Sequence, residues 1–67
     1  MSDWQTELSS LLSKNHVPRG CGPGLRYDYY EHGKSVMVRW RDKMQAKGQW
    51  PPDFETCMAF LIDYLKA

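Results

Sequence analysis

The sequence predicts a small all-α domain, because three of its stretches carry apolar residues at the period of a helix and residues that cap or stop helices flank them. The helices are expected near residues 3–14, 29–47 and 53–66, and a loop rich in glycine and proline, residues 15–26, follows the first. A chain of 67 residues suits one domain, which would take in residues 1–67. A domain of this size buries only about 60% of its unfolded surface, so aromatic side chains must supply much of the core.

The first predicted helix is short and has one narrow apolar stripe. Ser2, with Gln5 three residues later, has the spacing of a capping box at its start. An isolated helix of this length is only marginally stable in water, so its stripe must pack against another element. The stripe consists of Trp4, Leu8, Leu11 and Leu12.

The second predicted helix is the longest, and the rest of the chain is expected to pack on it. Asp28 and Glu31 have capping-box spacing at its start, and Gly48 suits its stop. Gly33 lies on the apolar stripe, where it would let a neighbouring element approach closely. The stripe covers about 120° of the helix surface at about 100° per residue. Its apolar members are Tyr29, Tyr30, Val36, Met37, Trp40 and Met44.

The same region has an alternative interpretation as a β-hairpin that turns at His32-Gly33. The chain would then be an α+β helix–hairpin–helix domain with strands near residues 25–31 and 34–40, and its aromatic and β-branched content supports this. The helix is preferred because the apolar stripe continues without a break in phase from Trp40 to Met44, through residues that favour helices.

The third predicted helix has two apolar lines instead of one. Asp53 is its expected N-cap. A helix that is apolar on two sides normally lies between neighbours, so helix 3 is expected between helix 2 and helix 1. Trp50, held extended by Pro51-Pro52, is expected to cover one end of the core. The main line is Phe54, Met58, Leu61, Ile62 and Leu65, and the second is Cys57, Phe60 and Tyr64.

The composition argues against an enzyme or a metalloprotein. The two cysteines and two histidines, at positions 21, 57, 16 and 32, lack the close pair spacing of a zinc site, so no metal is expected. Paired carboxylates do not stand out and the chain is too short to enclose much of a pocket, so no cofactor and no catalytic residue are expected. No apolar run approaches the ~20 residues that span a bilayer, and MSDWQTEL lacks the features of a signal peptide. We therefore expect a cytoplasmic protein whose Cys21 and Cys57 are free thiols.

Protein binding is the function that these exclusions favour. If helix 1 is too short to cover the second apolar line of helix 3, an exposed strip remains, and such strips mark interfaces. The hypothesis is a small regulatory module that binds a protein partner, or a second copy of itself as a homodimer, through a surface of helices 3 and 2. The residues expected to carry it are Val38, Cys57, Phe60 and Tyr64.

The alternative function is a nucleic-acid-binding accessory protein. The net charge of the chain is only +1, but cations are concentrated in the segment 19–47 and both ends are acidic. Phosphates would be repelled by helix 3, so the middle segment would have to make the contact. The candidate residues are Arg19, Arg26, Lys34, Arg39, Arg41 and Lys43.

Overall fold

The computed structural model describes residues 3–66, and within that range the chain forms three helices and no strand. Helix α1 spans Trp4–Lys14, α2 spans Tyr27–Ala46 and α3 spans Phe54–Lys66. The predicted small all-α domain of three helices is confirmed. No helix within this range has the length and apolar character needed to cross a membrane.

The region with two interpretations is one continuous helix of 20 residues, so the hairpin alternative finds no support. Helix α2 begins at Tyr27, two residues before the predicted start, and its N-cap Arg26 makes no capping hydrogen bond through its side chain. The predicted capping box at Asp28 is therefore wrong. Asp28 lies within the first turn, where its negative charge still interacts favourably with the helix dipole.

Carboxylates cap the other two helices. Asp3 is the N-cap of α1, and its Oδ1 accepts a hydrogen bond from the backbone N–H of Gln5 at 3.1 Å. The predicted cap Ser2 lies outside the described residues. Asp53 caps α3 as predicted, since its Oδ1 accepts from the N–H of Thr56 at 2.7 Å. The hydrogen bonds from Thr56 lower the pKa of Asp53 from its ordinary value of 3.8.

Helix α1 ends in a Schellman motif, which satisfies two of its last carbonyl groups. The N–H of His16 donates to the Ser13 carbonyl at 3.1 Å, and the N–H of Val17 donates to the Leu12 carbonyl at 2.9 Å. His16 occupies the left-handed position with φ of 61°. The motif turns the chain so that Val17 enters the core beside Leu12.

Helix α2 ends with the same motif, this time with a glycine at the left-handed position. Gly48 has φ of 77°, and its N–H donates to the Gln45 carbonyl at 3.0 Å. The N–H of Gln49 donates to the Met44 carbonyl at 2.9 Å. The predicted stop at Gly48 is confirmed.

Helices α2 and α3 pack side by side and run in opposite directions. The guanidinium of Arg41, late in α2, lies 5.1 Å from the ring centre of Phe54, the first residue of α3. Gly33, early in α2, faces Leu61, late in α3: a Cβ at Gly33 would stand 2.6 Å from Cδ1 of Leu61. The glycine thus allows the two helices a close approach, as its position on the stripe suggested.

Helix α1 packs on another flank of α2, also in the opposite direction. Trp4 at its start contacts Trp40, and at its end Nε2–H of His32 donates to the Asn15 carbonyl at 2.6 Å. Helix α2 therefore lies in the middle of the domain, with α1 and α3 packed against it. The prediction that α3 lies between the other two helices is wrong. Val17 and the loop, together with α2, cover much of the second apolar line of α3, which α1 was expected to cover.

The core draws on all three helices and on the loop 15–26. The loop contributes Val17, whose carbonyl accepts a hydrogen bond from the Tyr64 hydroxyl at 3.1 Å. The N–H of Cys21 donates to the Leu65 carbonyl and so attaches the loop to the last turns of α3. The buried apolar residues are Leu8, Leu12, Val17, Val36, Met37, Trp40, Cys57, Leu61, Tyr64 and Leu65.

Helix α3 buries one face that combines members of both predicted lines. Leu61 and Leu65 come from the main line, and Cys57 and Tyr64 come from the second. Ile62, predicted for the core, is only half-buried and does not pack against the core. The physical reason is that α2 and the loop that carries Val17 lie on the same side of α3, so only one face of this helix is covered.

Candidate protein-binding surface

The strip predicted to bind a partner is interrupted by burial. Cys57 is 2% exposed and Tyr64 is 6% exposed, so both belong to the core and neither offers a surface. Phe60 is half-buried because the ring of Trp4 covers it edge-on, with ring centres 5.4 Å apart. Only Val38 of the predicted set lies outside the core and outside the layer that packs on it.

Trp4 joins all three helices and explains why Phe60 is covered. Its ring centre also lies 6.5 Å from that of Trp40 on α2. Nε1–H of Trp40 in turn donates to Oε1 of Glu7 on α1, at 3.2 Å. The aromatic cluster therefore holds the start of α1 over the flank of α3 that carries Phe60.

The opposite flank of α2 and α3 is not covered by α1. Residues two apart on a helix point about 200° from each other. On α2, Trp40 faces α1, so Val38 points away from α1; on α3, Phe60 faces α1, so Met58 and Ile62 point away from it. We call the residues on this flank, Val38 of α2 and Phe54, Met58 and Ile62 of α3, the outer face; Met58 is half-buried and also packs against the core.

The largest exposed aromatic side chain lies at one end of the outer face. Trp50, in the linker between α2 and α3, is 87% exposed, so the prediction that it covers the core is wrong. Phe54, four residues later, is 36% exposed. The chain between them limits their Cα separation to about 14 Å. After Gly48 turns the chain at the end of α2, Pro51-Pro52 restricts the linker to extended conformations, and the Pro52 carbonyl accepts a weak hydrogen bond from Sγ of Cys57 at 3.8 Å.

Arg41 borders the same end of the outer face. Its guanidinium covers one side of the Phe54 ring, and its Nη2 lies 4.0 Å from Oδ1 of Asp42, too far for a strong ion pair. Its Nε is buried and has no hydrogen-bond partner among residues 3–66. A partner cannot reach the buried Nε, but the Arg41 side chain as a whole is 31% exposed and presents positive charge at this end of the outer face.

Two of the six predicted nucleic-acid-binding residues lie at the far end of the molecule, stacked on tyrosines. The guanidinium of Arg19 lies 5.4 Å from the ring centre of Tyr64. That of Arg26 lies 4.7 Å from the ring centre of Tyr29, and its Nη1 donates to the tyrosine hydroxyl at 3.3 Å. Both cations thus have aromatic partners within the chain.

The other four predicted cations divide between two flanks of α2. Arg39 and Lys43 lie along the groove between α1 and α2, whereas Lys34 and Arg41 lie on the flank toward α3. The six residues therefore do not form one positive surface. Nucleic-acid binding stays an untested prediction.

The groove between α1 and α2 was not foreseen from the sequence. It has a volume of about 220 Å³, and a third cation, Lys47, lines it together with Arg39 and Lys43. The three cations are spaced at i, i+4 and i+8, a pattern that the sequence alone displays. Its lining residues are Glu7, Leu11, Asn15, Val36, Arg39, Trp40, Lys43, Met44 and Lys47.

The thiols and histidines do not converge on a common site. Among residues 3–66, no three of the His, Cys, Asp and Glu side chains group closely enough to hold a metal ion. Cys21 and Cys57 are free thiols. Burial, together with the nearby charge of Asp53, raises the pKa of Cys57 above its ordinary value of 9.0, which keeps this thiol protonated and unreactive at neutral pH.

Comparison with known proteins gives no match, so the function proposed below rests on the geometry of the described residues. No protein-family model, no curated protein and no solved structure matches this chain.

Proposed function

We propose that this protein is a small binding module that recognises a protein partner through the outer face and the adjoining Trp50. The observation that carries the proposal is the 87% exposure of the Trp50 side chain. Tryptophan is among the residue types enriched in the hot spots of protein interfaces, because it buries a large area at a low cost in side-chain entropy. Its exposure on the free protein leaves that area available to a partner.

The surroundings of Trp50 support an interface more than an isolated exposed side chain. Phe54 continues the apolar surface onto α3, and Met58 and Ile62 extend it along that helix. Pro51-Pro52 restricts the backbone beside Trp50, so less conformational entropy is lost when a partner holds it. Arg41, whose side chain is 31% exposed, adds a cation at the edge, as expected of a polar rim.

The chemistry of this surface describes the partner. Apolar side chains of a partner would cover Trp50 and Ile62, and a carboxylate or carbonyl would meet Arg41. Two cations, Arg41 and Lys34, lie beside the outer face on the flank of α2 toward α3. A partner with an apolar patch edged by acidic side chains fits this combination.

A matched pair of aromatic substitutions tests the proposal. Tyr27 is 74% exposed at the opposite end of α2, so Tyr27→Ala removes an exposed aromatic side chain without touching the outer face. A photo-crosslinking residue at position 49, which is exposed and adjoins Trp50, identifies the bound protein in the source cells, and titration of the purified pair gives the affinity. Trp50→Ala is expected to weaken binding by at least about tenfold, as hot-spot truncations do, and Tyr27→Ala is expected to leave it unchanged.

The contrary results are equally specific. Equal losses of affinity in the two variants would show that Trp50 is not an anchor. Sedimentation of the protein alone distinguishes a second copy from a different partner: a wild-type dimer that Trp50→Ala converts to monomer would identify the partner as the chain itself.

A further inference from the structure

We propose that the groove between α1 and α2 binds an amphipathic helical segment of a protein partner, through carboxylates of that segment spaced one helical turn apart. The inference goes beyond the proposed function because it concerns a different flank of α2 and does not involve Trp50. It depends on three features of the groove: its apolar floor, its row of cations and its single carboxylate.

The floor of the groove is apolar and firm. Val36 and Trp40 belong to the buried core, and Leu11 and Met44 are half-buried and pack against that core. A volume of about 220 Å³ is smaller than the roughly 300–1,000 Å³ of sites for small molecules. It suits apolar side chains projecting from an adjacent helix, which is the way that grooves between helices recognise amphipathic segments. The flexible thioether of Met44 adapts to their shape.

The cations form a regular row along one edge of this floor. Arg39, Lys43 and Lys47 follow each other at intervals of one helical turn, so the row is about 12 Å long. All three side chains are exposed, and the single ion pair among residues 3–66 joins Arg41 to Asp42 elsewhere on α2. Carboxylates at i, i+4 and i+8 of a helix laid in the groove would match this row in both sign and spacing.

Glu7, on the α1 edge of the groove, determines which edge of the bound segment faces α1 and which faces α2. Glu7 is the one carboxylate in the lining, and its Oε1 already accepts from Nε1–H of Trp40 at 3.2 Å. Three cations against one carboxylate leave the lining at a net +2. Glu7 would repel an acidic side chain, so the acidic edge of the segment must face α2 and an uncharged or basic edge must face α1.

A nucleic acid fits the groove less well than a protein segment does. Phosphates would meet the carboxylate of Glu7 on α1 after passing the row of three cations. Arg19 and Arg26, which could have widened the positive surface, lie at the end of the molecule where α2 begins and stack on their own tyrosines. A phosphate backbone would also leave the apolar floor without a partner.

The test uses a designed pair of peptides and the whole chain. The probe is a helical peptide with glutamates at i, i+4 and i+8 beside a stripe of leucines, and its control carries glutamines at the same positions. Fluorescence anisotropy measures both affinities at low and at moderate salt. The glutamate peptide is expected to bind at least about tenfold more tightly at low salt, and the difference is expected to shrink as salt screens the charges.

Charge reversal on the protein locates the bound peptide. The double substitution Arg39→Glu with Lys43→Glu is expected to weaken binding of the glutamate peptide by at least about tenfold, and a lysine version of the peptide is expected to recover it. Lys66→Glu, on an exposed residue of α3 outside the groove, is the matched control and is expected to change the affinity less than twofold. Circular dichroism verifies that both variants fold.

Four results would overturn the inference: equal affinity for the two peptides, an equal loss with Lys66→Glu, displacement of the peptide by a tighter-binding oligonucleotide, and self-association that the double substitution abolishes. The last two would assign the groove to nucleic acid or to a second copy of the chain. Trp50→Ala is expected to leave peptide binding intact. A failure at the groove is therefore distinguishable from a failure at the outer face.

Discussion

His16 carries the most unusual backbone conformation among the described residues, since its φ of 61° is the one positive value outside glycine. The Schellman motif at the end of α1 requires a left-handed residue there, and glycine is the usual choice. Histidine adopts this conformation more readily than most residues with a Cβ, whereas β-branched residues rarely do. The side chain of His16 is exposed, so its effect on stability should come mainly from the backbone.

Substitutions at His16 therefore separate backbone strain from side-chain contacts. His16→Val is expected to lower the free energy of unfolding by about 1–2 kcal/mol, because a β-branched residue is strained in the left-handed region. His16→Gly is expected to change it by less than about 1 kcal/mol, since relief of strain offsets the greater freedom of glycine in the unfolded chain. Urea unfolding followed by circular dichroism measures both. Equal destabilisation by the two would mean that the imidazole itself makes a stabilising contact.

At the scale of elements, the distance between α2 and α3 depends on Gly33. A glycine in the middle of a helix costs about 1 kcal/mol relative to alanine. The cost is offset because Leu61 occupies the space that a Cβ would need, with its Cδ1 only 2.6 Å from that position. Leu61 is fully buried, so its side chain has little freedom to move aside.

A double-mutant cycle measures this contact. Gly33→Ala alone is expected to destabilise the protein by about 1 kcal/mol, because overpacking outweighs the gain in helix propensity. In the background of Leu61→Val, which removes both δ-carbons, the same change is expected to stabilise by up to about 1 kcal/mol. The difference between the two backgrounds is the coupling energy of neighbouring residues. An effect of Gly33→Ala that is the same in both would show that Leu61 is not the reason for the glycine.

At the scale of the whole molecule, Trp4 and Trp50 have opposite roles. Trp4 packs against Trp40 and Phe60 and so connects α1 to both other helices. Trp50 is almost wholly exposed. A domain of 67 residues is expected to have a total stability of only about 3–10 kcal/mol. Loss of one large packed side chain should therefore affect the entire fold.

The two tryptophans provide a matched comparison of stability. Trp4→Ala is expected to cost about 3 kcal/mol, at the low end of the range for tryptophan truncations because the side chain is only partly buried. Trp50→Ala is expected to cost less than about 0.5 kcal/mol. Thermal unfolding is followed by circular dichroism and by tryptophan fluorescence, whose change in Trp4→Ala reports mainly on buried Trp40 because Trp50 is already exposed. If Trp4→Ala melts part of the helical signal while the Trp40 transition stays in place, α1 is not part of one cooperative unit.

Much of the local structure was predictable because it depends on neighbours in sequence. The stripe from Tyr29 to Met44 identified α2 as a helix, and Asp53 and Gly48 marked a start and a stop correctly. The start of α2 was misplaced, since the spacing of Asp28 and Glu31 imitates a capping box that the backbone does not form. A capping motif is a short pattern, and short patterns also arise by chance within a helix.

The candidate binding surface was less predictable. Cys57 and Tyr64 were assigned to a surface and proved to be core, while Trp50 was assigned to the core and proved to be exposed. These assignments require knowing which flank of α3 the loop and α1 cover. Such coverage depends on contacts between residues far apart in the chain, such as Val17 with Tyr64. The spacing of apolar residues within one helix does not predict these contacts.

The sequence by itself determined that the chain is helical, where its helices lie and which of their residues are apolar, because hydrogen bonding within a helix and its period of about 3.6 residues are local properties. The tertiary structure decided that α2 and not α3 lies in the middle, that Phe60 is covered and that Ile62 and Trp50 are left outside. An apolar residue becomes core or surface according to what packs over it, and that choice belongs to the assembled helices.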